Sequence, residues 1–174
     1  MKTTKILIMA TMLLVCSTSN ADPENSNAPQ YEREAVAFFD AYLGVYNRRF
    51  GRPELSETFR QELSEIVYFP VLQSPASGQP RVPASMEKFT RGFEGFVTML
   101  ERKGVHRLAW ESQEFHQLSE NKLLANNVGV GYSVEGEPVY HTASLYLVYQ
   151  TDAGWKITLF SPYDVDKPLH LSSE

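Results

Sequence analysis

The hydrophobic residues of this chain repeat with two different periods, and the change between them divides the sequence. Between residues 31 and 104, apolar side chains return every three or four positions, which is the spacing of one face of an α-helix. After Gly104 they alternate with a period of two, which is typical of β-strands. The pattern therefore predicts an α+β chain with its helices first and most of its sheet last.

The first and third helical segments have clear beginnings and ends. The first starts near Tyr31, continues as the aromatic segment EAVAFFDAYLGVYNRRF and stops at Gly51. The third starts after Ser85, a residue type that caps helix N-termini, and stops at Gly104. We expect these two helices to present wide apolar faces to a common core.

A shorter helix and a short strand are predicted between these two helices. Leu55, Phe59 and Leu63 recur at a spacing of four, which indicates one turn of helix per step. The β-branched and aromatic residues 66–69 follow, and Pro70 is predicted to end this strand.

Four longer strands are predicted in the C-terminal half, separated by clusters of Ser, Asn, Asp and Gly. Their short connections make consecutive strands antiparallel neighbours. The segment Gly129-Val130-Gly131 predicts a bulge or bend rather than a phosphate-binding loop, because no helix follows it. The predicted strands cover residues 106–117, 122–134, 138–150 and 154–163.

The third of these strands is apolar on both faces, with Tyr140, Tyr146 and Val148 alternating with Leu145 and Leu147. A strand that is covered by helices on one side only normally has a polar outer face. We therefore predict a homodimer that forms through the sheet. The alternative is that these are ordinary, scattered exposed apolar residues.

Composition limits the classes of partner. The 174 residues are 43% hydrophobic and 21% charged, which suits one globular domain with a tail. The net charge of −5 does not fit binding to a phosphate backbone, so no nucleic acid partner is expected. No metal-ligand spacing or dinucleotide fingerprint is present, and we predict no metal and no cofactor.

The N-terminus has the organisation of a secretory signal. Lys2 and Lys5 precede an apolar run of about ten residues, which is too short for a permanent membrane span. Small residues before Asp22 predict cleavage after Ala21. The predicted organisation is a signal peptide (1–21), a flexible lead-in (22–30), a folded domain (31–165) and a C-terminal tail (166–174).

The single cysteine, Cys16, lies within this signal segment and leaves an alternative open. In a lipoprotein, Cys16 would be acylated after cleavage before it, although Val15 is larger than the residue usually found at that position. The rest of the chain has no cysteine and cannot form a disulfide. We expect a periplasmic or secreted bacterial protein.

From residue 31 to 165 the chain resembles the nuclear transport factor 2-like (NTF2-like) superfamily, which includes SnoaL-like and ketosteroid-isomerase-like proteins. The resemblance rests on the element order, the aromatic first helix and the ending YLVYQTDAGWKITLFSPYDV. It implies a cone-shaped α+β fold in which three N-terminal helices pack on a curved, mainly antiparallel sheet. It also implies a pocket between the first helix and the concave face of the sheet. With the predicted signal peptide, it indicates a bacterial secreted member of the superfamily.

Four tyrosines are the candidate ligand-binding residues of this pocket, because a phenol brings a hydroxyl group into an apolar cavity. Ordinary core packing is the alternative for each of them. They are Tyr42, Tyr46, Tyr68 and Tyr146.

Three functions remain open for such a pocket. The first is a non-enzymatic domain that binds a small apolar or amphipathic molecule. The second is a SnoaL-like or ketosteroid-isomerase-like enzyme that uses His141 or Asp40 with a tyrosine. Residues 66–69, where the resemblance places an isomerase base, contain no Asp or Glu. The third is a homodimeric assembly module.

Overall fold

The structure is a computed structural model that describes residues 28–76, 78–167, 169 and 171. The predicted signal peptide, Cys16 and most of the predicted lead-in lie outside the described residues. The described elements, in chain order, are α1 (Gln30–Arg49), a 3₁₀ turn (Pro53–Leu55), α2 (Ser56–Ile66), β1 (Val67–Gln73), α3 (Met86–Arg102), β2 (Arg107–Ser119), β3 (Lys122–Tyr132), β4 (Pro138–Thr151) and β5 (Gly154–Tyr163).

The strands form one curved sheet in the order β1-β5-β4-β3-β2. Strands β2 to β5 are antiparallel to their neighbours, while β1 pairs with β5 in parallel. The predicted α+β fold with three helices on a mainly antiparallel sheet is confirmed. The prediction that Pro70 ends β1 is wrong, because β1 continues to Gln73. It is an edge strand with a register shift between Val67 and Leu72, and proline is tolerated in such strands.

Local sequence signals set the ends of α1 and α3. The Ser85 hydroxyl accepts a hydrogen bond from the Lys88 backbone N–H at 3.2 Å, which caps the N-terminus of α3. Gly51 after α1 and Gly104 after α3 have φ angles of 68° and 84°, a region that residues with a Cβ rarely adopt. These signals explain why the helix ends agree with the sequence pattern.

Helix α1 lies across the concave face of the sheet and is anchored there by Phe39. This side chain is 0% exposed. Its ring contacts those of Trp110, Phe115 and Tyr146, with centroid separations of 6.2, 5.9 and 5.0 Å. The Trp110 indole N–H also donates to the Phe39 carbonyl oxygen at 3.2 Å. Aromatic pairs of this kind stabilise a core beyond the area that they bury.

A second contact fixes α1 to the edge strand β2. The Asn47 amide nitrogen donates to the Leu108 carbonyl oxygen at 3.0 Å, and the Leu108 backbone N–H donates to the Asn47 amide oxygen at 2.8 Å. A side chain of α1 thus satisfies backbone groups on an edge of the sheet that no further strand pairs. The contact sets how closely the helix approaches the sheet.

The glycines of β3 allow the sheet to bend where it meets β2. The register shifts between Trp110 and Ser112, so Glu111 is an extra residue opposite β3 at Gly129. A Cβ on Gly131 would lie 2.8 Å from a methyl carbon of Val105, which is too close. The bulge expected in this segment thus lies opposite it, on β2.

The outer face of the sheet is partly covered by the C-terminal segment of the same chain. The Asn126 amide nitrogen donates to the Leu169 carbonyl oxygen. The Leu171 backbone N–H donates to a Glu114 carboxylate oxygen at 3.0 Å. This segment thus lies on part of the surface that we predicted to form a homodimer, and the homodimer stays a prediction.

We expect Phe39→Ala to lower the free energy of unfolding by about 3–5 kcal/mol, because it leaves a cavity between α1 and the sheet. Equilibrium unfolding in urea measures this value. Phe38→Ala is the matched control, since Phe38 is the neighbouring half-buried residue on the same helix. Its effect should be at most about half as large. Equal losses for the two variants would contradict the anchoring role of Phe39.

Candidate functional site

A cavity of about 40 Å³ lies between α1 and the concave face of the sheet. We call it the inner cavity. It has room for a few water molecules or for the polar end of a larger molecule. Its lining comprises Tyr42, Leu43 and Tyr46 of α1, Phe93 and Phe96 of α3, and Leu108, Trp110, Asn127, Gly129, Thr142, Ser144, Tyr146 and Phe160 of the sheet.

Three buried tyrosines give the inner cavity hydroxyl groups. Tyr42 and Tyr46 are one helical turn apart on α1, so their side chains share a face, and their hydroxyl oxygens lie 2.9 Å apart in a hydrogen bond. Tyr146 comes from β4, and its ring centroid is 5.9 Å from that of Tyr42. The helix and the sheet thus each contribute phenols to one polar cluster inside an aromatic core.

Burial keeps these phenols neutral. Loss of contact with water raises the pKa of Tyr42, Tyr46 and Tyr146 well above the usual value near 10, and their electrostatic coupling adds to the shift. At physiological pH each hydroxyl can donate or accept a hydrogen bond. None of them is ionised to act as a base.

Asn127 on β3 is the most unusual residue of the site. Its side chain is 1% exposed, yet neither its amide oxygen nor its amide nitrogen has a hydrogen-bond partner among the described residues. It lies opposite Ser144 on β4 and Gln113 on β2, whose buried Nε2 also lacks a described partner. A buried unsatisfied polar group costs about 1–3 kcal/mol. A molecule in the inner cavity would therefore be stabilised by bonding to this amide.

A larger cavity of about 370 Å³ adjoins the first one, and we call it the outer cavity. Both cavities are lined by Phe93, Phe96, Thr142 and Phe160, so these side chains separate them. The rest of the outer lining consists of Gln73, Arg81, Lys88, Phe89, Gly92, Tyr140 and Pro162. The two cavities together offer an uncharged inner end and an outer end with cationic side chains.

The comparison with protein families agrees with this geometry. Residues 33–165 match the family described as "NTF2-like protein (DUF6841)". The chain belongs to this NTF2-like family. None of the curated proteins matches its sequence. The superfamily that the sequence resembles is therefore confirmed, and the match covers most of the described domain.

Solved structures show the same fold for the NTF2-like domain at low sequence identity. An NTF2-like protein of unknown function from Shewanella oneidensis has a TM-score of 0.57 and 12% identity, covering 77% of this chain and 99% of that one. Aln2 from a Streptomyces species has a TM-score of 0.61 and 9% identity, covering 80% and 94%. A putative scytalone dehydratase from Novosphingobium aromaticivorans has a TM-score of 0.50 and 12% identity, covering 76% and 82%.

Of the four tyrosines predicted for the pocket of this NTF2-like domain, three line the inner cavity. Tyr42, Tyr46 and Tyr146 are there. Tyr68 is not among the lining residues and is 54% exposed. It is a residue of the edge strand β1, at the far side of the sheet from β2. The placement expected for Tyr68 is therefore wrong, because the strand directs this side chain to solvent.

The two candidate catalytic residues also lie outside the inner cavity. His141 lies between Tyr140 and Thr142 on β4, so its side chain points to the outer face of the sheet. There 45% of the side chain is exposed, and its Nε2 is 4.0 Å from a Glu111 carboxylate oxygen. Asp40 is exposed on α1, although partial burial of its carboxyl group raises its pKa. The structure thus brings neither of them beside the cavity tyrosines.

The residues that sequence reasoning missed are Asn127, Gln113, Arg81 and Lys88. Asn126 and Asn127 are adjacent in β3, and only the parity of the strand decides which one faces the cavity. Apolar residues occur at both parities of β3, for example Ala125 and Val128, so the sequence pattern alone does not select Asn127.

The described residues contain neither a metal-ligand cluster nor a membrane-spanning helix. Within them, no three His, Cys, Asp or Glu side chains are grouped closely enough to hold a metal ion. No helix in the same part of the chain is both long and apolar enough to cross a membrane.

We expect the free energy of unfolding to fall steeply as the pH rises above about 10. The unfolded chain loses its phenolic protons there while the folded domain keeps those of the buried tyrosines, so the unfolded state binds fewer protons and gains in stability. Each such proton contributes a slope of about 1.4 kcal/mol per pH unit. Urea unfolding between about pH 9 and 11 measures this slope.

Two Tyr→Phe variants test whether the buried tyrosines of the inner cavity cause this dependence of the unfolding free energy on pH. Tyr46→Phe removes one buried phenol and should reduce the slope by roughly one proton's share. Tyr68→Phe removes an exposed phenol and should leave the slope unchanged. If Tyr46→Phe has no effect, Tyr46 ionises in the folded domain and the description of its environment is incorrect.

Proposed function

We propose that this NTF2-like domain binds a small amphipathic molecule in its cone, with a polar group of the molecule placed against Asn127. The observation that carries the proposal is the buried Asn127 amide, which leaves a donor and an acceptor without a described partner at the wall of a cavity. A bound hydroxyl or carbonyl group would satisfy them.

The sizes of the two cavities suit a small ligand. The outer cavity, at about 370 Å³, falls within the range of roughly 300–1,000 Å³ that is typical of small-molecule pockets. The inner cavity, at about 40 Å³, suits a single functional group. The ligand body would therefore lie among Phe89, Phe93 and Tyr140 of the outer cavity, and its polar end would enter the inner one.

The chemistry of the inner cavity favours an uncharged polar end. Its described lining includes no Asp, Glu, Lys, Arg or His, and its tyrosines are neutral. An ion would lose its hydration there without finding an opposite charge, which is strongly unfavourable. A hydroxyl or carbonyl group instead finds the Asn127 amide and the Tyr42 and Tyr146 hydroxyls.

The alternative functions receive less support from the geometry. An enzyme that used His141 or Asp40 would need either group within hydrogen-bond reach of the reacting atoms, and both lie outside the cavity lining. An assembly module would not require Asn127 to be unsatisfied in a cavity. The predicted signal peptide would deliver the domain to the periplasm or the medium, where we propose that it meets its ligand.

We expect the domain to bind 4-propylphenol about fivefold more tightly than propylbenzene, because a neutral hydrogen bond contributes about 1 kcal/mol. Equilibrium dialysis measures both affinities. In Asn127→Leu this preference for the phenol should disappear. The same variant should unfold at equal or higher urea concentration than the original chain, since it removes unsatisfied buried polar atoms.

Asn121→Ala, in the turn before β3, is the control and should preserve the preference for the phenol. The two readouts of Asn127→Leu separate a binding role from a structural one. A structural asparagine would lose stability on replacement by leucine. The proposal is wrong if neither compound binds the original chain, or if Asn127→Leu keeps the preference for the phenol.

A further inference from the structure

We infer that the ligand carries an anionic group, which Arg81 and Lys88 hold at the mouth of the outer cavity. This inference rests on the proposed binding function and adds the charge class of the ligand. Both residues belong to the outer cavity lining, which includes no Asp or Glu among its described residues. The outer cavity is therefore locally cationic, in a chain whose net charge is −5.

The backbone of Arg81 is fixed at this mouth. Its N–H donates to the Gln73 carbonyl oxygen at 2.8 Å, and the Gln73 N–H donates to the Arg81 carbonyl oxygen at 2.9 Å. This pairing joins the segment after β1 back to the end of that strand. The guanidinium group thus extends from an anchored position, although its side chain is exposed.

Lys88 lies in the first turn of α3, where the partial positive charge of the helix N-terminus disfavours a cation. Its backbone N–H is bonded to Ser85, so the placement of the residue is well defined. Glu87 in the same turn is paired with Arg91, so an anion at the mouth would compensate for the lysine. The position of Lys88 is unfavourable for folding and favourable for binding an anion.

Neither cation has an ion-pair partner among the described residues, whereas cations nearby are paired. Arg91, one turn further along α3, is 2.9 Å from Glu87. Arg60 of α2 is 2.5 Å from Glu94 of α3. These two nearby cations are thus neutralised locally, whereas the two that line the outer cavity have no ion pair with a described residue.

The two ends of the cone then select a defined class of molecule. The inner end requires an uncharged hydroxyl or carbonyl group, the aromatic walls require an apolar body, and the mouth requires a carboxylate or a similar anion. The ligand is therefore an amphipathic acid with an uncharged polar group at the end opposite its charge.

We expect 3-(4-hydroxyphenyl)propanoate and 4-(4-hydroxyphenyl)butanoate to bind more tightly than their uncharged primary amides. The two lengths sample the separation between Asn127 and the mouth. At low ionic strength the better acid should exceed its amide by roughly tenfold, since two exposed charge pairs each contribute a modest amount. Salt at about 0.5 M should reduce the ratio, because it screens exposed charges.

The double variant Arg81→Gln with Lys88→Gln should abolish the advantage of the acid over the amide, because it removes both cations of the mouth. The matched control is Arg52→Gln with Arg102→Gln, which removes the same charge from exposed residues outside both cavities. The control should keep most of the ratio between the affinity for the acid and the affinity for its amide. Equilibrium dialysis gives all of these affinities.

The outcomes distinguish this inference from the proposed function. If 4-propylphenol binds through Asn127 but neither acid binds more tightly than its amide, the inference of a cationic, anion-binding mouth is wrong and the binding function stands. If both double variants lose the preference for the acid to the same extent, the inference is also wrong, because only the net charge of the protein would then matter. Absence of binding by every probe would overturn both proposals.

Discussion

The packing of one helix against the concave face of the sheet determines everything else in this domain. Phe39 fills the centre of that contact, and Asn47 joins the same helix to the backbone of the edge strand. The first contact is apolar and pulls the layers together, whereas the second has directional geometry and sets their distance. Because Phe39 and Asn47 lie two turns apart on α1, they fix the tilt of the helix as well. The cavity occupies the space that this tilt leaves on the side of α1 facing α3.

The polar groups of the site would be costly anywhere else in such a core. Tyr42 and Tyr46 satisfy one another across one helical turn, which makes their burial tolerable. Asn127 has no such arrangement, and its environment is aromatic on most sides. A hydrophobic residue at this position would raise the free energy of unfolding. The asparagine therefore lowers the stability of the fold, which indicates a role other than core packing. Under the proposed function, a bound ligand would return the missing hydrogen bonds.

Periodicity predicted the fold well and the site only in part, for one physical reason. Helix and strand boundaries follow from many residues at once, so single errors have little effect on them. A site residue depends on the parity of one position in a strand, and a shift of one residue moves a side chain to the other face. His141 and Tyr146 are five positions apart on β4, so a regular strand cannot direct both into the cone. The sequence already contained this conflict, and the structure resolves it in favour of Tyr146.

Other features of the site have no local sequence signal. The cationic mouth forms because the segment after β1 folds back on Gln73 and brings Arg81 near the start of α3, and no period in the sequence encodes that contact. A glycine at position 129 leaves room beside Trp110, and this matters only because β2 has an extra residue there. Both features arise from contacts between segments distant in the chain. They become visible only when the sheet is assembled.

Helix α3 connects the two ends of the cavity. Lys88 lies at the mouth, Phe89 lies in the outer wall, and Phe93 and Phe96 separate the outer cavity from the inner one. The Phe93 ring centroid lies 4.8 Å from that of Phe89 and 5.2 Å from that of Phe160, and the Phe96 centroid lies 6.4 Å from that of Tyr140. Together with Thr142 and Phe160, Phe93 and Phe96 line both cavities. Since Glu94, between them in the sequence, is paired with Arg60 of α2, the backbone of α3 is held in place there. Under the proposed function, the side chains that both cavities share would determine how a molecule passes from the mouth to Asn127.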